Sequence, residues 1–183
     1  MLQINIDDEV TLRQLDLPHT EALFRLVDSN RAHLRRWLPW VDSTQGLKDQ
    51  RDFIQHCLDQ SDGSDGYSCG IWYQSALVGV IGVHYIDRIH RKSSIGYWLA
   101  AATQGKGIMT RAARGLIDHL IGVEEMNRVE IGCAVENHKS RAIPIRLGAT
   151  EEGIRRQTEW LYDHFVDHMI YSVLAEDWTI KAR

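Results

Sequence analysis

Cysteine is scarce in this chain: Cys57, Cys69 and Cys133 are all that 183 residues contain. Three widely spaced thiols suit neither a disulfide framework nor a zinc site, so they are expected to be reduced, buried, small apolar residues, with no metal bound. No uncharged apolar run approaches the roughly 18 residues of a membrane span, and the opening MLQINIDDEV has no basic stretch ahead of an apolar one. A cytoplasmic protein without a membrane partner is expected. Positive charge is not in excess either: 21 Lys and Arg against 25 Asp and Glu leave a net charge of -4. Such a balance gives no general attraction for phosphate backbones, which makes nucleic acid a poor partner. Repeats and low-complexity blocks are absent, and the one strong loop cluster, SDGSDG at Ser61 to Gly66, is too short for a domain linker. One domain spanning 1–183 is expected, with 44% hydrophobic residues to fill its core.

What is present reads as alternating strands and helices. Val10 to Arg13 alternates as a short strand, and Pro18 marks a first helical turn with Ala22, Leu23, Leu26 and Val27 on one face. A second helical stretch runs from Asn30, a candidate N-cap, to Trp37, where Pro39 makes helical geometry unfavourable for Leu38. Leu47, Phe53, Ile54, Cys57 and Leu58 follow helical spacing over Leu47 to Leu58. Tyr67 to Tyr73 and Ala76 to Tyr85 read as a hairpin turning at Gln74 and Ser75, and LVGVIGV is apolar enough for burial on both faces. Ser93 to Leu99 is a further strand, followed by a glycine turn and a helix from about Gly107 to Ile121 with Ile108, Ala112, Leu116 and Leu120 four apart. Val129 to Val135 is a strand, His138 to Leu147 a helix, and Glu151 to Gln157 and Phe165 to Leu174 two final strands. This order predicts a three-layer α/β fold around one twisted mixed sheet.

The most informative segment is IGYWLAAATQGKGIMT, Ile95 to Thr110. A buried strand runs into a turn with Gly105 and Gly107 and directly into an amphipathic helix, an arrangement in which backbone amides and the helix dipole favour a phosphate, with Lys106 at the rim. A nucleoside triphosphate loop needs G-x-x-x-x-G-K followed by Ser or Thr, but Gly107 follows Lys106. A dinucleotide loop needs a third glycine, and Arg111 and Ala112 stand there instead. A glycine turn that merely redirects the chain is the plain alternative.

QGKGIMT, preceded by IGYWL and followed by ENHKSRAIPIRLGATEEG, resembles the acetyl-CoA-binding signature of the GNAT superfamily, in its RimJ/RimL branch of ribosomal-protein N-acetyltransferases. LRRWLPW at Leu34 to Trp40 is similar to a feature of that branch, and the likeness covers nearly the whole chain. The superfamily pattern is Gln or Arg, Gly three residues on, and a small residue two further. Gln104 and Gly107 match it, and Met109 replaces the small residue, as is common in the branch. The resemblance implies a sheet with a V-shaped opening between two central parallel strands, Ser93 to Leu99 and Arg128 to Val135. It further implies acetyl-CoA held by Tyr97, Trp98, Leu99, Gln104, Gly105, Lys106, Gly107, Ile108, Met109, Thr110, Asn137 and Ser140, the pantetheine arm lying like an added strand. Gly96 and Gly132 would mark close backbone approach, although a strand glycine is as often a packing concession.

Acetyl transfer to an amine needs a neutral nucleophile and a proton for the leaving thiolate. By the same resemblance Ser140 protonates the thiolate and Glu159, in QTEWLYDHF, serves as base. Other readings stay open: Asn137 as a simple helix cap, Glu159 as a solvated loop residue, His164 or His168 relaying protons through water, and Tyr162 as the acid. Pro144 has no amide for the Ser140 carbonyl and should kink the helix there. Trp37 and Trp40 line an amine pocket or pack in the core. His33, Arg35, Arg36, Arg88, His90, Arg91 and Lys92 form a basic rim for an acidic protein substrate, or are merely solvated. The acceptor is expected to be a protein N-terminus, ribosomal or other. A small amine such as an aminoglycoside or polyamine, and a non-catalytic acyl-CoA sensor, are the alternatives. Family members are often dimers, which implies a homodimer by analogy.

Overall fold

The computed structural model describes residues 1–63 and 65–181, the side chains of 179–181 excepted. Ser64, inside the expected SDGSDG loop, lies outside the described residues. The strands are β1 (Gln3–Asn5), β2 (Val10–Gln14), β3 (Tyr67–Tyr73), β4 (Ala76–Asp87), β5 (Lys92–Leu99), β6 (Arg128–Ala134), β7 (Thr150–Leu161) and β8 (His164–Leu174). They form one sheet in the order β1-β2-β3-β4-β5-β6-β8-β7, in which, among the described residues, β5 and β6 alone pair parallel. The helices are α1 (Thr20–Asp28), α2 (Arg31–Leu34), α3 (Leu47–Asp62), α4 (Ile108–Gly122), α5 (His138–Leu147) and α6 (Ala175–Lys181). Helices α1 and α3 cover β3 and β4 on one face, and α4 and α5 cover the other. The three layers expected from the element order are thus formed.

Each layer follows from apolar spacing. The stripe Ile108, Ala112, Leu116 and Leu120 of α4 is almost wholly buried against Leu12, Ile71, Ile81, Ile95 and Ile131, making the larger core. Under α1 and α3 a smaller cluster joins Leu15, Leu23, Ile54 and Val80. In the central strand β4, Val78 to Val83 is buried throughout, as a strand covered on both faces requires. The β3–β4 turn holds Gln74 and Ser75 both at positive φ, 48° and 69°. That twist is the one a two-residue hairpin needs, reached here without glycine or asparagine.

Several expectations need correcting. The helix expected to Trp37 has its regular part only over Arg31–Leu34, with turns beyond. Asn30 does not cap it; its side-chain oxygen accepts from the Ala101 amide at 2.9 Å, tying α2 to the loop after β5. In α3 the buried side chains are Gln50, Ile54 and Cys57, while Leu47 and Phe53 are exposed; that helix also absorbs Ser61 and Asp62 from the expected loop. Strand β1 and helix α6 were not foreseen: β1 is three residues long and held by pairing with β2, with Leu2, Ile4 and Ile6 alternating onto the core. All three cysteines are free and buried, as expected.

Candidate functional site

The site begins where the parallel ladder stops. Pairing between β5 and β6 runs only from Lys92↔Arg128 to Ile95↔Ile131. Beyond it, Gly96 to Leu99 keep their partners in β4 and Gly132 to Ala134 keep theirs in β8, but the two strands no longer meet each other. Four residues of β5 edge, about 13 Å at the usual rise per strand residue, therefore face a gap with no strand across from them.

The glycine turn lies at the open end of this gap. Gly105 and Gly107 adopt φ of 78° and 71°, and a Cβ on either would meet nothing within 4 Å, so the space over the turn is clear. Gly107 is the N-cap of α4 and no side chain caps that helix. The first-turn amides of Ile108, Met109 and Thr110 have no carbonyl a turn earlier to bond, and the helix dipole adds positive potential. The Ile108 and Met109 side chains are buried in the core, so these two residues can offer a ligand only their backbone. Gln104 is held on both sides: its amide nitrogen lies 3.0 Å from His33 Nε2, and its oxygen accepts from Lys139 Nζ at 3.2 Å. Lys139 and Arg146, whose Nε donates to Thr110 Oγ1 at 3.3 Å, bring cationic charge beside the turn. Neither was singled out in the sequence, because α5 reaches α4 only through the fold. Lys106 leans over the Tyr73 ring, 5.7 Å from its centroid. An uncapped helix start, two open glycines and nearby cations fit a diphosphate, and the unpaired edge beside them fits an extended, amide-bearing chain.

On the α4/α5 face of the gap, Ser140, Cys133 and Tyr97 cluster. Ser140 Oγ donates to Cys133 Sγ at 3.3 Å, and the Tyr97 hydroxyl donates to the Ser140 carbonyl at 3.2 Å. That carbonyl is the one Pro144 leaves without a helical amide. Burial pushes the Cys133 thiol above its ordinary range, and the bonds from Ser140 and Tyr97 only partly offset it. Asn137 is the helix cap, its Oδ1 accepting from the Ser140 amide at 3.2 Å. Of the three residues that end β5, Tyr97 points to this cluster and Trp98 to the opposite face. Leu99 is buried, and its carbonyl lies 3.2 Å from His33 Nε2.

On the other face stands Glu159. Between Arg155↔His168 and Glu159↔Val166 strand β7 carries extra residues, a bulge braced by Asp167 Oδ1 accepting from the Gln157 amide at 2.7 Å. A bulge re-aims the side chains that follow it. Here it brings Glu159 Oε2 to 3.2 Å from His168 Nε2, both groups largely shielded from solvent. His164, the other candidate relay, turns instead to Asp163, 2.7 Å away at the exposed end of the hairpin. Tyr162 is committed elsewhere: its hydroxyl donates to the Leu38 carbonyl at 2.7 Å, under the Arg35 guanidinium, and burial raises its pKa.

Neither strand glycine marks close backbone contact across the gap. A Cβ on Gly96 would lie 2.5 Å from His84 Nε2, and one on Gly132 would lie 3.5 Å from His168 Nδ1. Gly96 makes room for the His84 imidazole, whereas a side chain at Gly132 would be in ordinary contact with His168. His84 went unnoticed in the sequence because its place over Gly96 depends on the register of β4 with β5, which no local pattern encodes.

The two tryptophans separate. Trp40 packs on Trp98, ring centroids 6.1 Å apart, within the cluster of Val27, Leu34 and Val41. Trp37 lies half-buried beside Arg36. The basic rim is not continuous. His33 sits at the Leu99 end of β5, whereas Arg88, pairing with Glu124, and Lys92, facing Asp87, lie around its other end. Arg35 is paired with Asp42.

A mixed sheet that opens between two parallel strands, with an anion cradle at the mouth of the opening, defines an acyl-CoA transferase fold. The chain belongs to the GNAT acetyltransferases, whose acetyltransferase (GNAT) domain matches residues 9–150. It is 35% identical to YdaF of Bacillus subtilis over 97% of this chain and 98% of that one. It is 29% identical to the ribosomal-protein-serine acetyltransferase of Escherichia coli, over 94% and 97%. Among solved structures, RimL, the ribosomal L7/L12 alpha-N-protein acetyltransferase in complex with coenzyme A, superposes with a TM-score of 0.92 at 28% identity over 96% of this chain and 99% of that one. The microcin C7 self-immunity acetyltransferase MccE, in complex with acetyl-CoA and AMP, does so at 0.88 and 32%, over 92% and 94%. Among the described residues no helix is long and apolar enough to cross a membrane.

Proposed function

We infer that this N-acetyltransferase takes its acetyl group from acetyl-CoA and moves it to the N-terminal amine of a protein, a ribosomal protein foremost, by direct transfer in the cytoplasm. The observation that carries this reading is the placement of Ser140 and Glu159 on opposite faces of the gap. Cys133, bonded to Ser140, points into the α4 core, while neighbouring Gly132 faces His168 and hence Glu159. Successive strand residues alternate in this way, so acid and base address a group lying between the strands from two sides. Coenzyme A supplies an activated thioester; its diphosphate belongs on the amides of Gly105 to Thr110 and its arm along Gly96 to Leu99.

The residues then divide the work. Glu159, held by His168, faces the amine and accepts its proton; Ser140, held by Asn137 and Tyr97, donates to the thiolate. The ribosomal target is supported by relatives named for that activity. A polyamine acceptor is the second reading, because a spermidine N(1)-acetyltransferase of Escherichia coli is 26% identical over 86% of this chain. A homodimer is part of the proposal. Ile154, Trp160 and Phe165 stand exposed on the β7–β8 hairpin and offer apolar surface for it.

The test is mass spectrometry of a panel of N-terminal peptides and of spermidine, each incubated with purified protein and acetyl-CoA. Acetylated peptide α-amines are expected. Spermidine as the sole product would overturn the protein target, and no CoA release with any acceptor would overturn the enzyme reading.

A further inference from the structure

Glu159 does not stand alone on the amine side of the gap. His84 lies two residues beyond Gly82, the cross-strand partner of Gly96, and so shares the face of Gly96, where strand separation begins. Two imidazoles lie at the start of the opening, His84 over Gly96, where no side chain fits, and His168 beside Gly132. The Glu159 carboxylate is hydrogen-bonded to the second and electrostatically coupled to the first. His84 keeps solvent exposure on its open side. Surrounding protein nevertheless pushes the imidazole below its ordinary value, with the negative charge of Glu159 opposing that shift in part. A neutral imidazole at the mouth of the opening is a proton acceptor. His84 differs in this from His168, which already shares a hydrogen bond with the carboxylate.

We propose, on the footing of the acetyl-transfer reading above, that His84 is a second catalytic base on the amine side of the gap. It takes the proton that an acceptor ammonium must lose before it attacks, leaving Glu159 for the proton released as the C–N bond forms. The balance leaves two protons to be accepted, one before attack and one as the C–N bond forms. An ammonium loses two protons on becoming an amide while the C–N bond forms and the C–S bond breaks. The departing thiolate gains one proton from Ser140, which is reprotonated through solvent, and one net proton leaves to bulk. The charged and titratable groups facing His84 are Glu159 from β7 and, behind it, His168 from β8; β5 presents Gly96.

The experiment compares kcat/KM of wild type, His84→Gln and His84→Asn with acetyl-CoA and an acceptor peptide carrying a free N-terminal amine. Coenzyme A affinity within about twofold of wild type is the check that each variant is folded. At about pH 6.5, where an α-amine of pKa roughly 7.7 to 8.0 is mostly protonated, the variants should lose tenfold or more. At about pH 9 the amine is already neutral and the deficit should shrink to about threefold or less. An equal deficit at both pH values, or none, overturns the proposal while leaving acetyl transfer intact. A wild type inert toward every acceptor overturns the function reading instead. An independent readout is the NMR titration of labelled histidines: Glu159→Gln should lower the His84 pKa further, and a His84 signal indifferent to that change overturns the proposal.

Discussion

The Tyr97 hydroxyl donates to the carbonyl of Ser140 at 3.2 Å, replacing the amide that Pro144 lacks one helical turn further on. A proline inside a helix orphans the carbonyl four residues before it. In this chain the orphan belongs to the candidate acid, and a strand residue lining the gap satisfies it. The proline thus becomes a device that couples α5 to β5 at the point where the thiolate would leave.

Tyr97→Phe should therefore act in two ways. Removing the donor leaves a partly buried carbonyl unpaired, which costs about 1 kcal/mol of stability, measurable by denaturant unfolding. It also frees Ser140 to shift, so kcat should fall several-fold with little change in coenzyme A affinity. An unchanged kcat would separate Tyr97 from the positioning of Ser140.

Glu159→Gln and Ser140→Ala should each lower kcat by about a hundredfold, the lower range for loss of general acid–base catalysis, while coenzyme A still binds. Isothermal titration with coenzyme A alongside steady-state rates separates the two effects. A protein whose purpose is only to sense acyl-CoA would be indifferent to both changes.

Gly107→Ala places a methyl group in the clear space over the turn and a side chain at φ of 71°. The backbone strain costs about 1 to 2 kcal/mol. The larger effect should be on the ligand: affinity for coenzyme A should drop at least tenfold, checked by calorimetry, because the methyl group keeps the diphosphate from the amides. Retained affinity would show that the turn is not the cradle.

Arg128 grips Glu152 through both guanidinium ends, Ser172 donates to the same carboxylate at 2.7 Å, and these bonds lower the Glu152 pKa from 4.5 to about 2. A carboxyl whose folded pKa is depressed stabilises the fold above its unfolded pKa, and that stability is lost as pH falls through the folded pKa. The window is therefore pH 4.5 down to about 2. Because Glu152 is partly exposed, solvent screening reduces the contribution to about 1 kcal/mol. Glu152→Gln should flatten the wild-type loss of stability over that interval in urea titrations at stepped pH, and an unchanged slope would count against the pair.

Much of this molecule was already written in its residue order. The fourfold spacing of Ile108, Ala112, Leu116 and Leu120 dictates α4, and two glycines ahead of it dictate an uncapped, open helix start, since both depend on neighbours within a few positions. Asn137 and Pro144 likewise mark the cap and the orphaned carbonyl of α5 by local rules alone. The tertiary structure alone decided what occupies the two faces of the gap. His84 reaches the amine side through the register of β4 with β5, and Glu159 meets His168 through a bulge; both depend on pairing with a partner strand, which no local pattern encodes. Tyr97 and Ser140 lie 43 positions apart along the chain, and the separate placement of His33 and Lys92 reflects the length of β5 between them. Short-range sterics and hydrophobic period set the elements, whereas the chemistry depends on contacts that form only once the sheet has closed around its core.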